Sequence, residues 1–331
     1  MSPQVDQFYK SSLSEGPTEG SRQFASMRPS NCMIPTERGA GFWRLAFRAG
    51  AVFAESMRIA LLADIHGNLA ALEAALDEIA ALAPDLTIVA GDVVDGGPDS
   101  GACWRRVRAL GCPVIRGNHE RYLFDYGTPR ADPAWSSPQF APLRVARAEL
   151  SSAELAELAA LPPTWADPAW PDLLVVHASL RGDNDSIFPY TPDAQIDPMF
   201  PGLDPAVKLI VRGHNHVCST REWAGRRIVT TGSVGLPQDG NPAAQFLLLE
   251  RRAGDWQIRH RAVRYDLGRT LRRFRDSGYL DHAGPLGRLF YREMETGTHQ
   301  VVPFLRYYGA ARARGVQWTL EEALQHFLHV G

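Results

Sequence analysis

The strongest constraint on the fold is an arrangement repeated five times: a short apolar run, then a tight group of Asp, His, Asn or Ser, with glycine in four of the five. Residues 58–63 (RIALLA) lead into Asp64-Ile65-His66-Gly67-Asn68, and 86–90 (LTIVA) into Gly91-Asp92-Val93-Val94-Asp95-Gly96-Gly97. Residues 113–115 (PVI) lead into Arg116-Gly117-Asn118-His119-Glu120, 173–176 (LLVV) into His177-Ala178-Ser179, and 208–211 (KLIV) into Arg212-Gly213-His214-Asn215-His216. Runs this short fall far below the ~20 apolar residues of a membrane span and read as buried strands. Residues 69–81 and 100–110 carry apolar positions at helical spacing between the first three runs. The order βαβαβ predicts a parallel sheet with right-handed crossovers, and sites in such sheets lie beyond the carboxyl ends of the strands.

The rest of the chain frames this unit. Residues 121–171 are an insertion rich in Pro and Trp, with a helix capped at Ser151 or Ser152. Strands are predicted again at 227–231, 245–250 and 256–264. The last two flank Arg252-Ala253-Gly254-Asp255 as an antiparallel hairpin. Residues 266–331 form a helical C-terminal extension, in which Thr319 and Glu322 make a capping box. Arg269, Arg272, Arg273 and Arg275 read as a solvated helix face. Residues 1–40 are rich in Ser, Pro and Gly without apolar periodicity, and residues 41–56 are interrupted by Arg44 and Arg48. Residues 1–56 are therefore expected to be a disordered extension, dispensable for fold and activity, with the globular unit spanning 57–265.

Charge and cysteine content narrow the function. The 35 Lys and Arg against 37 Asp and Glu leave a net charge of −2, which argues against a general nucleic-acid binder. Four cysteines without a C-x-x-C pair suit reduced thiols in a cytoplasmic protein, and no membrane association is expected.

Five of the ten histidines fall in the strand tails. Carboxylate and imidazole together suit Mn, Fe, Zn or Ni, and the absence of thiolates from the tails argues against a structural zinc site. Asp64 and His66 are two residues apart, as are His214 and His216. In extended backbone each pair would face one side. A carboxylate shared by two ions ~3.5–4 Å apart would suit in-line displacement at phosphorus.

The ordered set D-x-H, G-D-x-x-D, G-N-H-E, H-A-S, G-H-x-H, from about Met57 to Arg264, resembles the calcineurin-like metallophosphoesterase superfamily. Gly232-Ser233-Val234-Gly235-Leu236-Pro237 is similar to the G-S-V-G-x-P of its small bacterial phosphodiesterase-like branch. The resemblance implies a β-sandwich flanked by helices, in αββα order. It further implies two divalent ions, manganese first, with Fe, Ni or Zn as alternatives. One would be held by Asp64, His66 and His216, the other by Asn118, His177 and His214, with Asp92 and a water or hydroxide bridging them. His119 would be the general acid and Asp95 would orient it. Asn68, Arg116 and Arg181 are candidates for phosphate contact.

The implied reaction is in-line hydrolysis of a small phosphorylated substrate, a phosphodiester or nucleotide, by the bridging hydroxide. Protein serine/threonine phosphatases carry Asp-Arg-Gly where this chain has Asp95-Gly96-Gly97. The missing arginine favours a diester, which carries one less negative charge. A non-catalytic scaffold on the same fold is disfavoured because all seven ligand positions and His119 are intact.

Overall fold

The computed structural model describes residues 56–330. The expectation for residues 1–55 lies outside them. The strands are β1 (Ser56–Leu62), β2 (Leu86–Val89), β3 (Thr164–Trp165), β4 (Leu173–Val176), β5 (Leu209–Arg212), β6 (Ser219–Trp223), β7 (Arg226–Thr230), β8 (Ala244–Arg252) and β9 (Asp255–Val263). The helices are α1 (Leu69–Leu82), α2 (Ser100–Arg108), α3 (Asn118–Asp125), α4 (Ala141–Ala148), α5 (Ser152–Ala160), α6 (Asp193–Ile196), α7 (Leu267–Asp276), α8 (Tyr279–Thr296), α9 (Val301–Ala313) and α10 (Leu320–Val330).

The strands form two sheets, ordered β2-β1-β8-β9 and β3-β4-β5-β7-β6. β1 runs parallel to β2, and β4, β5 and β7 run parallel to one another, while β8 lies antiparallel to β1. Side-chain alternation builds the layers. Ile59 and Leu61 of β1 pack between the sheets with Ile88, Val175, Val211 and Leu247, whereas Ala60 and Leu62 face α1 and its neighbours on the outside. Leu174, Val176 and Ile210 face outward from the second sheet onto Ile196 and Met199. The result is the four-layered helix–sheet–sheet–helix sandwich that the resemblance implies.

The third apolar run does not form a strand. Residues 113–115 contribute a single parallel bridge, Val89 to Val114. Pro113 has no N–H to offer the ladder, and the Arg116 N–H goes to the Pro162 carbonyl 2.9 Å away, which ends pairing after Ile115. The expected hairpin is present, with Arg252 opposite Asp255 and Ala253 and Gly254 both at positive φ.

Four helices continue the chain beyond β9. Ser151 caps α5, and Thr319 with Glu322 makes the expected capping box. The basic face of α7 is paired rather than only solvated. Arg269 meets Glu73 at 2.7 Å, Arg273 meets Asp99 at 2.7 Å, and Thr270 donates to Asn68 at 2.8 Å. These contacts fix the C-terminal helices against α1 and the loop before α2. α8 is kinked where Gly284, at φ 61°, precedes Pro285.

Candidate metal centre

The chain leaves β1, β2, β4 and β5 at one edge of the sandwich, and the tails meet there. The oxygen and nitrogen atoms of Asp64, His66, Asp92 and His216 lie within 4.8 Å of one another, as do those of Asp92, His177 and His214. Asp92 belongs to both sets. Its Oδ1 accepts the His119 backbone N–H at 2.9 Å. Its Oδ2 lies 3.7 Å from His66 Nε2 on one side and 3.1 Å from His177 Nε2 on the other. All seven predicted ligands come together: Asn118 joins the second set, its Oδ1 3.0 Å from both His177 Nε2 and His214 Nδ1.

The backbone route differs from the expected one. Asp64 and His66 are not extended: their φ values are 56° and 48°, and Asp92, Asp95, His214 and His216 also lie at φ between 53° and 70°. Left-handed backbone is rare away from glycine, and each such residue costs on the order of 1 kcal/mol. Six of the nine non-glycine residues described at positive φ are thus predicted site residues. The i and i+2 pairs converge through sharp left-handed turns and not through the pleat of a strand. The pair His214 and His216 divides between the two sets.

Each imidazole is oriented by a backbone carbonyl. His66 Nδ1 bonds to the Asp95 carbonyl at 2.9 Å, His216 Nδ1 to Leu236 at 2.7 Å, and His177 Nδ1 to Ala90 at 2.8 Å. His214 bonds through Nε2 to Asn184 at 3.1 Å. With the proton on that nitrogen, the other nitrogen of each ring presents a lone pair to the centre. Lone pairs then confront one another: His66 Nε2 is 3.1 Å from His216 Nε2, and Asn118 Oδ1 is 3.2 Å from Asp92 Oδ2. Turned over, the Asn118 amide would instead donate to these atoms; the oxygen-inward orientation completes the ligand shell of a cation. The donor set of carboxylates, imidazoles and one amide oxygen fits divalent metal ions.

Two glycines make this approach feasible. A Cβ at Gly117 would sit 2.2 Å from Asp92 Oδ1, and one at Gly213 would sit 2.8 Å from Asp64 Oδ2. Glu120 is fully buried between the loops. It accepts backbone N–H bonds from Asp92 at 2.8 Å, Val93 at 2.7 Å and Gly117 at 2.7 Å, stapling the Asp92 loop to the start of α3. Arg212, equally buried, donates to the carbonyls of Ala178 and Asp185 and to Asn215, and so ties the His177 tail to the His214 tail. Neither role was read from the sequence. The Gly117-x-x-Glu120 capping spacing was the available signal for the first.

The electrostatics separate the histidines. Burial, then the neighbouring His119 and His216, push His66 well below its ordinary value. Burial and His177 do the same to His214. Burial also opposes charge on His177, but the Asp92 carboxylate outweighs it and raises His177 to about 10. Asp64 raises His216 in the same way. In the metal-free protein His177 is therefore protonated at neutral pH and the charged form of His216 is favoured, so metal uptake must displace at least the His177 proton. At least about one proton, that of His177, should be released when metal-free protein is titrated with Mn²⁺ at pH 7, and affinity should rise as pH approaches 10. Calorimetry in buffers of different ionisation enthalpy measures the release; zero protons would mean that these imidazoles are already neutral.

His119 stands beside the two sets. Its Nδ1 bonds to Asp95 Oδ2 at 2.9 Å, and its ring packs edge-on against His66. Burial disfavours its charge, but Asp92 and the Asp95 hydrogen bond outweigh this and raise it to about 9. His119 lines a cavity of about 490 Å³ above the centre, together with His66, Asp92, Asp95, Asn118, His214 and His216. The three phosphate candidates do not line it. Asn68 caps α1 and bonds to Gly235 and Tyr265, Arg181 is paired with Asp185, and Arg116 lies outside the cavity. Asn68 spends both amide N–H donors on the Gly235 carbonyl and the Tyr265 hydroxyl, whereas the Arg181 guanidinium uses Nε and Nη2 on Asp185.

A sandwich holding such carboxylate–imidazole sets at the strand ends is that of a metal-dependent phosphoesterase. Residues 57–218 match the family described as calcineurin-like phosphoesterase. The chain is similar to a metallophosphoesterase of Sphaerobacter thermophilus, with 25% identity and a TM-score of 0.58 over 73% of this chain and 100% of that one. It shares the fold of hypothetical protein PH1004 from Pyrococcus horikoshii OT3, with 20% identity and a TM-score of 0.59 over 74% of this chain and 100% of that one. An uncharacterized protein of Methanocaldococcus jannaschii, MJ0912, is 24% identical over 226 residues, which are 63% of this chain and 88% of that relative. The protein is a hydrolase acting on phosphoester bonds. Among the described residues, no helix is long and apolar enough to cross a membrane, and none of Cys103, Cys112 and Cys218 is in a disulfide.

Proposed function

We propose that the protein hydrolyses a phosphodiester or nucleotide with two divalent ions, most readily manganese, that share Asp92. The observation that carries this is the membership of Asp92 in both ligand sets, its Oδ2 placed between His66 and His177. Asp64, His66 and His216 would complete one site, and Asn118, His177 and His214 the other. Two ions held there would supply a nucleophile at neutral pH and offset the charge of the phosphate. The chain's own groups do the rest. His119, protonated at neutral pH through Asp92 and Asp95, holds a proton at the edge of the cavity for the leaving oxygen. Asp95 fixes the ring through Nδ1 and leaves Nε2 without a protein partner among the described residues. The carboxylate and amide oxygens suit manganese, and the imidazoles admit iron, nickel or zinc as alternatives.

The diester preference rests on charge. Among the described residues, no lysine and only one arginine, Arg306, lines the cavity, so a doubly charged monoester would meet little fixed positive charge beyond the ions. We further propose that residues 57–265 are the catalytic unit and that the helical extension from 266 shapes the substrate side. The test is a screen of phosphodiesters, nucleotides and phosphopeptides with Mn, Ni, Fe, Zn and Mg added in turn to metal-free protein. Diester turnover should exceed monoester turnover by at least tenfold, with Mn among the most active metals. Preferential turnover of phosphopeptides would overturn the substrate reading.

A further inference from the structure

The cavity over the metal centre is much larger than a phosphate group requires. Its 490 Å³ falls in the range that accommodates a whole organic ligand. Its floor is the metal centre, and its far side is built by α8 and α9, which contribute Leu286, Phe290 and Val302. The loop before α6 contributes Phe188 and Tyr190, whose rings stack with centroids 5.4 Å apart and planes within 4°. Tyr190 is 79% exposed, and it and Leu328 are the two large apolar side chains left exposed among the described residues. A flat, solvated aromatic face at the rim of a catalytic cavity is suited to stacking a second planar ring.

The same cavity holds an unusual cation. Arg306, in the second turn of α9, is exposed, lines the cavity, and has no ion pair or hydrogen bond among the described residues. The nearby carboxylate of Glu293 is buried and committed to the Gln300 and Val301 backbone N–H groups, 2.7 and 3.0 Å away. It is therefore not arranged to neutralise the guanidinium. Arg306 is a planar, permanently charged fork facing the substrate space, the form of side chain that recognises phosphate oxygens in bidentate fashion.

We infer that the cavity takes a phosphodiester-linked nucleotide that carries a second, terminal phosphate: a base stacks on Tyr190 and the terminal phosphate pairs with Arg306. For the reaction this rests on the hydrolase reading above; for binding it does not. In the reaction a water oxygen bonds to the bridging phosphorus, the bond to the ribose 3′ oxygen breaks, and that oxygen takes a proton from His119. The products are two nucleoside monophosphates. A small aliphatic phosphodiester would leave both Tyr190 and Arg306 unused.

The probes are the dinucleotide pApA, which has a 5′-terminal phosphate, and ApA, which lacks it. Both are tested for turnover with Mn²⁺-loaded full-length protein and for equilibrium binding to the metal-free protein. The wild type should prefer pApA in kcat/KM and in affinity. Arg306→Ala should lower that preference about tenfold, mostly through KM, and Arg306→Lys should restore part of it. Tyr190→Ala should raise KM for both dinucleotides several-fold. An unchanged pApA-to-ApA ratio in Arg306→Ala, or no binding of pApA by the wild type, overturns the inference. Arg306-dependent binding without turnover under any metal would overturn the hydrolase reading and leave this one standing. Turnover of both dinucleotides at an Arg306-independent ratio would do the reverse.

Discussion

Asp92→Asn should empty both metal sites and abolish hydrolysis, with turnover falling by at least about 10³-fold. The exchange keeps the volume of the side chain and an oxygen to accept the His119 backbone N–H, so the loop retains its anchor. What it removes is the negative charge at Oδ2, which faces both ligand sets. Several kcal/mol of transition-state stabilisation from the ions would go with it, and each 1.36 kcal/mol is tenfold in rate. Asp64→Asn is the matched control, because Asp64 belongs to one set only. Elemental analysis should find about two ions in the wild type, close to none in Asp92→Asn and about one in Asp64→Asn. The charge of Asp92 is also the largest factor raising His177 and His119, so both imidazoles should titrate lower in metal-free Asp92→Asn. Full activity of the wild type with a single bound ion would refute the shared-carboxylate mechanism.

The site was legible in the sequence because its chemistry is concentrated. Short apolar runs, four of them strands, deliver each ligand group within a few residues of their ends, so the order of apolar run and polar tail survives in one dimension. The way the backbone delivers them was not legible. The i and i+2 spacing of Asp64 and His66 suggested extended chain, yet both residues are left-handed, and only the surrounding loops hold them so. The division into two sheets was equally hidden. β4 has the same composition whether it extends the first sheet or begins a second, and the choice depends on the core between the sheets, to which Val175 and Leu247 both belong. The two-residue β3 and the alternating β6 carry too little apolar signal to be read. Residues 113–115 carry enough, but Pro113 cannot complete a ladder. Glu120 and Arg212 were missed because their function is to bond backbone atoms far away in sequence. The roof of the cavity was missed for the same reason: nothing in the sequence of α8 or α9 indicates that Phe290 and Arg306 face a site built more than seventy residues earlier.

His119→Ala should leave both ions in place and lower turnover by roughly 10²–10⁴-fold, the range of general acid catalysis. Its imidazole bonds to Asp95 and belongs to neither ligand set, although its backbone N–H holds Asp92 Oδ1, a contact that alanine preserves. The loss should depend on the leaving group. An aryl oxide departs as a stabilised anion and hardly needs a proton, whereas a ribose or alkyl oxide is a strong base and does. The variant should therefore be impaired far less on an aryl phosphodiester than on an alkyl one. The wild-type pH profile supplies a second reading. An acid held at about 9 in the metal-free protein stays protonated through neutral pH, so activity should fall on the alkaline side as His119 loses its proton. A cation on Asp92 would offset part of the charge that raises His119, placing that limb below 9 in the loaded enzyme. Asp95→Asn should move the limb lower still, because it removes the carboxylate bonded to Nδ1. Equal losses on aryl and alkyl substrates, or an alkaline limb that survives in His119→Ala, would show that this histidine positions the site and that the proton comes from elsewhere.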